Sequence, residues 1–145
     1  MSSATRSDPL SARRIVVDSS ALLAILFHEP ERDAFIGILL DCEPVISIVT
    51  LTELCAVTRG RLGTAGLNEV DRQLTDYAFE VAAVDSGDWP LLRQAMLDFG
   101  KGRRRPPAVL NFGDLFPYAL AKRLGLPLLY KGDDFARTDV QAALP

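Results

Sequence analysis

Five acidic residues, at four places in this chain, stand where chemistry could be done. Asp18 closes the apolar run "RIVV", and Glu53 follows "PVISIV" after one turn. Asp114 sits in "NFGD", and Asp133 with Asp134 follows "LPLLYKG". Carboxylates are hard oxygen donors, and no His or Cys stands beside them at ligand spacing. Gathered at one point, they would suit Mg2+ (or Mn2+) rather than Zn2+. Such a cation on a carboxylate cluster serves phosphoryl or phosphodiester chemistry, with metal-activated water as the attacking group.

Each acid also has an ordinary use. Thr50-x-x-Glu53 and Asn111-x-x-Asp114 read as capping boxes. Asp18 could cap the helix that begins "SSALL", and Asp133 or Asp134 could cap a turn. Helix caps do not need convergence, however. Two unit charges about 5 Å apart cost roughly 3 kcal/mol at an effective dielectric near 20, and a domain has only about 5–15 kcal/mol to spare. Convergence therefore points to a cation.

The elements that would position these acids follow from periodicity. Residues 14–18, 44–49, 80–85 and 126–131 are short apolar, β-branched or leucine-rich runs, expected as buried strands. Between them lie segments with helical spacing: 19–30, 30–42, 50–63, 67–79, 86–102 and 111–125, the last ending at Gly125. The tail after Phe135 could add an edge strand. Alternating strands and helices, with strands apolar on both faces, imply an α/β fold: a mainly parallel sheet of four to five strands between two helical layers. Ligands of such sheets bind outside the carboxyl ends of the strands, which is where the acids are placed.

Bulk properties set limits. A chain of 145 residues, 48% hydrophobic and 24% charged, is expected to be one domain able to fold without disulfides or a structural metal. Residues 1–13 read as a flexible leader and 14–145 as the domain. Cys42 and Cys55 lie in apolar stretches and are expected as reduced core thiols. A net charge of −3 argues against coating nucleic acid through bulk charge. A local basic segment, Lys101, Arg103, Arg104 and Arg105, remains a candidate phosphate grip. No apolar run is long enough to span a bilayer and no secretory signal opens the chain, so the cytoplasm is the expected location. There is no GxxxxGK[ST] loop, GxGxxG or GxSxG. The single histidine, His28, falls between two helices, so proton transfer rests with carboxylates or water.

The blocks "VVDSSALLAIL", "SIVTLTELCAV" and "LNFGDLFPYALAKRLGLPLLYKGDDFARTDV" together resemble PIN-domain ribonucleases of the VapC type, toxins of type II toxin–antitoxin pairs. The resemblance runs from Ile15 to Val140. It implies a PIN-like α/β/α fold and an Mg2+-dependent endoribonuclease that leaves a 5′-phosphate and a 3′-hydroxyl. It implies Asp18, Glu53, Asp114 and Asp134 as the catalytic, metal-holding quartet. Asp133 would support or replace Asp134, Ser20 would brace the cluster, and Asn111 would orient the turn that bears Asp114. A cognate VapB-type antitoxin and a homodimer are implied as well. Leu115 and Pro117 depart from the residues more usual after Gly-Asp. Two rival readings are a non-catalytic PIN-like binding module and a receiver-type phosphoacceptor domain, the latter suggested by Lys131 after the last strand.

Overall fold

The computed structural model describes residues 13–100 and 110–144. The chain opens with β1 (Arg13–Val17), α1 (Ser19–Leu26) and α2 (Arg32–Asp41). It continues through β2 (Cys42–Ser47), α3 (Ile48–Leu62), α4 (Thr64–Asp76) and β3 (Glu80–Ala82). A 3-10 turn at Ser86–Asp88 leads into α5 (Trp89–Phe99), and α6 (Leu115–Leu124) precedes β4 (Leu128–Leu129). The expected leader lies outside the described residues except for Arg13, which opens β1 opposite Cys42.

The described strands form one parallel sheet in the order β3-β2-β1-β4. The tail adds a bridge, not a full strand: Leu128 pairs with Ala142, bonded through Gln141 and Ala143. The expected α/β fold with a sheet of four to five strands is therefore present. Side chains alternate across the sheet as a two-residue period requires. Ile15, Val17, Ile46 and Leu129 face α1–α4, with Phe35, Leu39 and Leu54. Val16, Val45 and Leu128 face α5 and α6, with Tyr118 and Leu120. Each such buried aliphatic side chain stabilises the fold by about 1.5–3 kcal/mol. Cys42 and Cys55 are free, half-buried thiols packed at the margin of the first cluster.

Element boundaries depart from the sequence expectation in two informative places. β2 ends at Ser47, because the Ser47 hydroxyl accepts the Val49 amide and starts α3 two residues earlier than expected. α3 stops at Gly63 as expected, where a φ of 65° turns the chain. α6 begins at Leu115, and Pro117 falls in its first turn, where a missing amide is tolerated. His28 lies in the α1–α2 connection with a φ of 53°.

Candidate active site

The strand order explains where a site can form. From β1 the chain winds outward to β2 and β3, then returns to β4 on the other side of β1. The order therefore reverses between β1 and β4, and a crevice opens outside their carboxyl ends. Asp18 follows β1 directly, and its amide donates to Leu129 of β4 at 2.9 Å. Asp134 follows β4 by five residues. α3, entering from β2, brings Glu53, and the turn before α6 brings Asp114.

Asp18 is only 4% exposed. It caps α1, its Oδ2 accepting the Ser20 amide at 3.1 Å. Burial pushes its carboxyl above the usual range; the bonds from Ser20 oppose this and the charge of Glu53 adds to it. Glu53 does not occupy a capping position, because Ser47 rather than Thr50 caps α3. Its Oε1 accepts the Ser19 hydroxyl at 3.1 Å. Its Oε2 lies 2.0 Å from where a Cβ on Gly113 would stand. Glycine at that position gives the carboxylate its room.

Asp114 and Asn111 bond reciprocally. The Asn111 amide donates to Asp114 Oδ2 at 3.1 Å, and the Asp114 amide donates to Asn111 Oδ1 at 3.0 Å. The expected box is thus present, just ahead of α6. It does not account for the electrostatics. The Asp114 carboxyl is pushed up to about 6, first by burial and further by the charges of Asp18, Asp134 and Glu53, with the Asn111 amide opposing. Asp18, Glu53 and Asp134, from three strand exits, thus stand near enough to Asp114 for their charges to be felt there. The charge of Asp133 acts on Tyr130.

Ser20 lies between the two halves of the site. Its hydroxyl oxygen accepts the Lys131 amide at 2.9 Å, tying α1 to the β4 exit loop that carries Asp133 and Asp134. Lys131 Nζ turns away from the acids to Glu29 (3.0 Å) and Glu31 (3.4 Å). Asp85, the acid at the end of the third expected strand, caps the 3-10 turn with Asp88. Asp88 in turn holds Arg123 at 2.8 Å. These partners give Lys131 and Asp85 structural roles that the receiver-type reading did not foresee.

By type the four carboxylates suit a hard divalent cation, and a cation there would relieve the part of the upward push on Asp114 that comes from its acidic neighbours. Among the described residues, no group of three or more His, Cys, Asp or Glu side chains is placed so that it could hold a metal ion as it stands. Lys101, Arg103, Arg104 and Arg105 lie outside the described residues. The chain on either side of them is joined, with Leu110 donating to the Phe99 carbonyl at 2.6 Å.

Ser19 and Gly113 were not singled out from the sequence as site residues. The signal for Ser19 was the doubled hydroxyl in "DSS". For Gly113 it was a glycine flanked by two site residues.

Residues 15–141 match the PIN domain family, and the chain belongs to that family. It is similar to a ribonuclease VapC of Mycolicibacterium smegmatis, with 42% identity over 130 residues covering 88% of this chain and 98% of that one. It is likewise similar to ribonuclease VapC30 of Mycobacterium tuberculosis, with 40% identity over 133 residues covering 90% and 100%. In fold it resembles the crystal structure of Mycobacterium tuberculosis VapC20, described as a sarcin-ricin loop cleaving toxin. The TM-score is 0.71 at 15% identity, covering 90% of this chain and 99% of that one. VapBC2 from Rickettsia felis, solved bound to a promoter DNA fragment, matches with a TM-score of 0.65 at 16% identity, covering 89% and 96%.

Proposed function

We propose that this chain is a metal-dependent endoribonuclease, the toxin of a VapBC-type toxin–antitoxin pair. The observation that carries the reading is the meeting of acids at the carboxyl ends of the strands: Glu53, held by Ser19 next to Asp18, reaches Gly113 next to Asp114. Relatives named VapC ribonucleases at 40–42% identity support it.

Asp18, Asp114, Asp134 and Glu53 would hold Mg2+, with Mn2+ able to substitute. When bound, the cation polarises the phosphodiester and lowers the pKa of water. The chain's own residues orient the donors. Asn111 fixes Asp114 through both its amide and its side chain. Ser19 holds Glu53 toward Gly113, and Ser20 fixes the start of the β4 exit loop. Asp133 stands next to Asp134 as a supporting carboxylate. Lys101, Arg103, Arg104 and Arg105 are the candidates to grip RNA phosphates.

A VapB-type antitoxin is the proposed partner, and a homodimer the proposed assembly. An arginine from the antitoxin placed against the carboxylates would compete with the cation through charge-assisted bonds. The test is cleavage of total cellular RNA by purified protein. Wild type should cut in Mg2+ and stop on chelation, and Asp114→Asn should not cut. A non-catalytic PIN-like binding module would give no metal-dependent cleavage in either protein.

A further inference from the structure

Phe112 is 74% exposed, the most exposed of the large hydrophobic side chains among the described residues. An exposed phenylalanine gives up about 1.5–3 kcal/mol of burial that the fold could otherwise use. It sits between Asn111 and Gly113, inside the turn that carries Asp114. That turn is fixed by the reciprocal Asn111–Asp114 bonds, so the ring's base does not wander. The ring is also oriented: Phe116 meets it edge-on, with centroids 5.1 Å apart and planes at 66°. The ring borders two hollows. One, of about 360 Å3, is shared with Glu53, Gly113 and Val49. The other, of about 250 Å3, is shared with Asn111, Leu110 and Met96.

We propose that Phe112 is a stacking platform for an unpaired base of the RNA, next to the phosphate held at the carboxylates. This rests on the ribonuclease reading above and deepens it by assigning a base subsite. The carboxylates themselves repel the phosphate backbone, so contacts beside them add to the affinity. An uncharged π-face supplies it without reading sequence, since every base has one. Bases in a duplex are already stacked and cannot offer a face, so the substrate is a single-stranded loop or end. The hollow on the Glu53 side is continuous with the catalytic wall. That continuity favours a base of the bound RNA over a separate protein partner.

The test is steady-state cleavage of a single-stranded oligoribonucleotide spanning a mapped cleavage site. A matched oligonucleotide carries an abasic nucleotide at the flanking position. Wild type, Phe112→Ala and Phe112→Trp are compared, with Asp114→Asn as the inactive control. Phe112→Ala should raise KM about ten-fold or more with little change in kcat, and Phe112→Trp should restore KM. The abasic oligonucleotide should cost wild type a similar factor and cost Phe112→Ala nothing further. Light scattering at assay concentration should give the same mass for all variants. An unchanged KM in Phe112→Ala, additive penalties, or a dimer falling to a monomer would each overturn the subsite; the last would assign this face to a second copy of the chain. If wild type cuts no RNA, the ribonuclease reading falls and the subsite with it. If wild type cuts and Phe112→Ala cuts equally well, only the subsite falls.

Discussion

The Glu53 carboxylate occupies the space in which a side chain on residue 113 would begin, its Oε2 2.0 Å from an ideal Cβ on Gly113. This contact links α3 to the turn before α6 across the mouth of the sheet. The intruding atoms are the far end of a flexible side chain, so an alanine there would move Glu53 and leave the backbone in place. Gly113→Ala should therefore fold and melt within a few degrees of wild type. Its cleavage rate should drop as far as that of Glu53→Gln, and the double variant should be no worse than either, because both remove one carboxylate. Additive losses in that cycle would show that Gly113 acts by another route.

Asp114 predicts a proton linkage in cation-free protein. Its folded carboxyl, raised from 3.8 to about 6, holds a proton that the unfolded chain releases. The associated stability is fully present below about pH 4 and is lost as pH rises through about 6. In chelator, the melting temperature should fall between pH 4 and pH 7 by more in wild type than in Asp114→Asn. The asparagine keeps an oxygen acceptor for the Asn111 amide while removing the charge that Asp18, Glu53 and Asp134 repel. Added Mg2+ should raise the wild-type melting temperature at pH 7 and leave Asp114→Asn unmoved. Equal pH slopes in the two proteins would contradict the linkage.

The two serines after Asp18 should separate by effect. Ser19→Ala frees Glu53, and Ser20→Ala frees the Lys131 amide and with it the start of the Asp134 loop. Bonds that orient metal ligands are worth roughly ten- to hundred-fold in metal affinity. Both variants should need more Mg2+ for half-maximal cleavage, and Ser20→Ala should also lose about 1 kcal/mol of stability. Unshifted Mg2+ dependence in both would remove the serines from the account.

Arg123 and Asp88 supply a control outside the acidic cluster. Asp88 is buried and holds Arg123 at 2.8 Å, and Arg123 also donates to the Ala83 carbonyl. Breaking a buried pair by removing one partner costs about 3–5 kcal/mol, less where one partner reaches solvent. Arg123→Ala should lose about 2 kcal/mol in denaturant unfolding with unchanged Mg2+ dependence. A shift in Mg2+ dependence would mean that this pair is coupled to the site.

Much of this architecture could be read along the chain. The β-branched runs at 14–18 and 44–49 gave two strands because burial on both faces leaves no polar alternation to mislead. Gly125 ended α6 through its left-handed turn. The reading erred where a local side chain outvoted the apolar pattern. Ser47 caps α3, so Ile48 and Val49 became helix although they look like strand. β3 and β4 are shorter than their apolar runs, three and two residues, because a strand ends where its neighbour's ladder ends, and that is a tertiary fact. The acids were legible from their place at strand exits. Which serine touches Glu53, and that Gly113 makes room for it, depend on side-chain directions between elements 34 and 60 residues apart, which spacing does not encode.

The claim that one divalent cation is shared by the converging carboxylates has a direct test. Crystals of the protein soaked in Mn2+ should show a single anomalous peak about 2.1–2.3 Å from oxygens of Asp114 and at least one of Asp18, Glu53 and Asp134, and Asp114→Asn crystals should lack it. A peak elsewhere, or none at saturating Mn2+, would contradict the account.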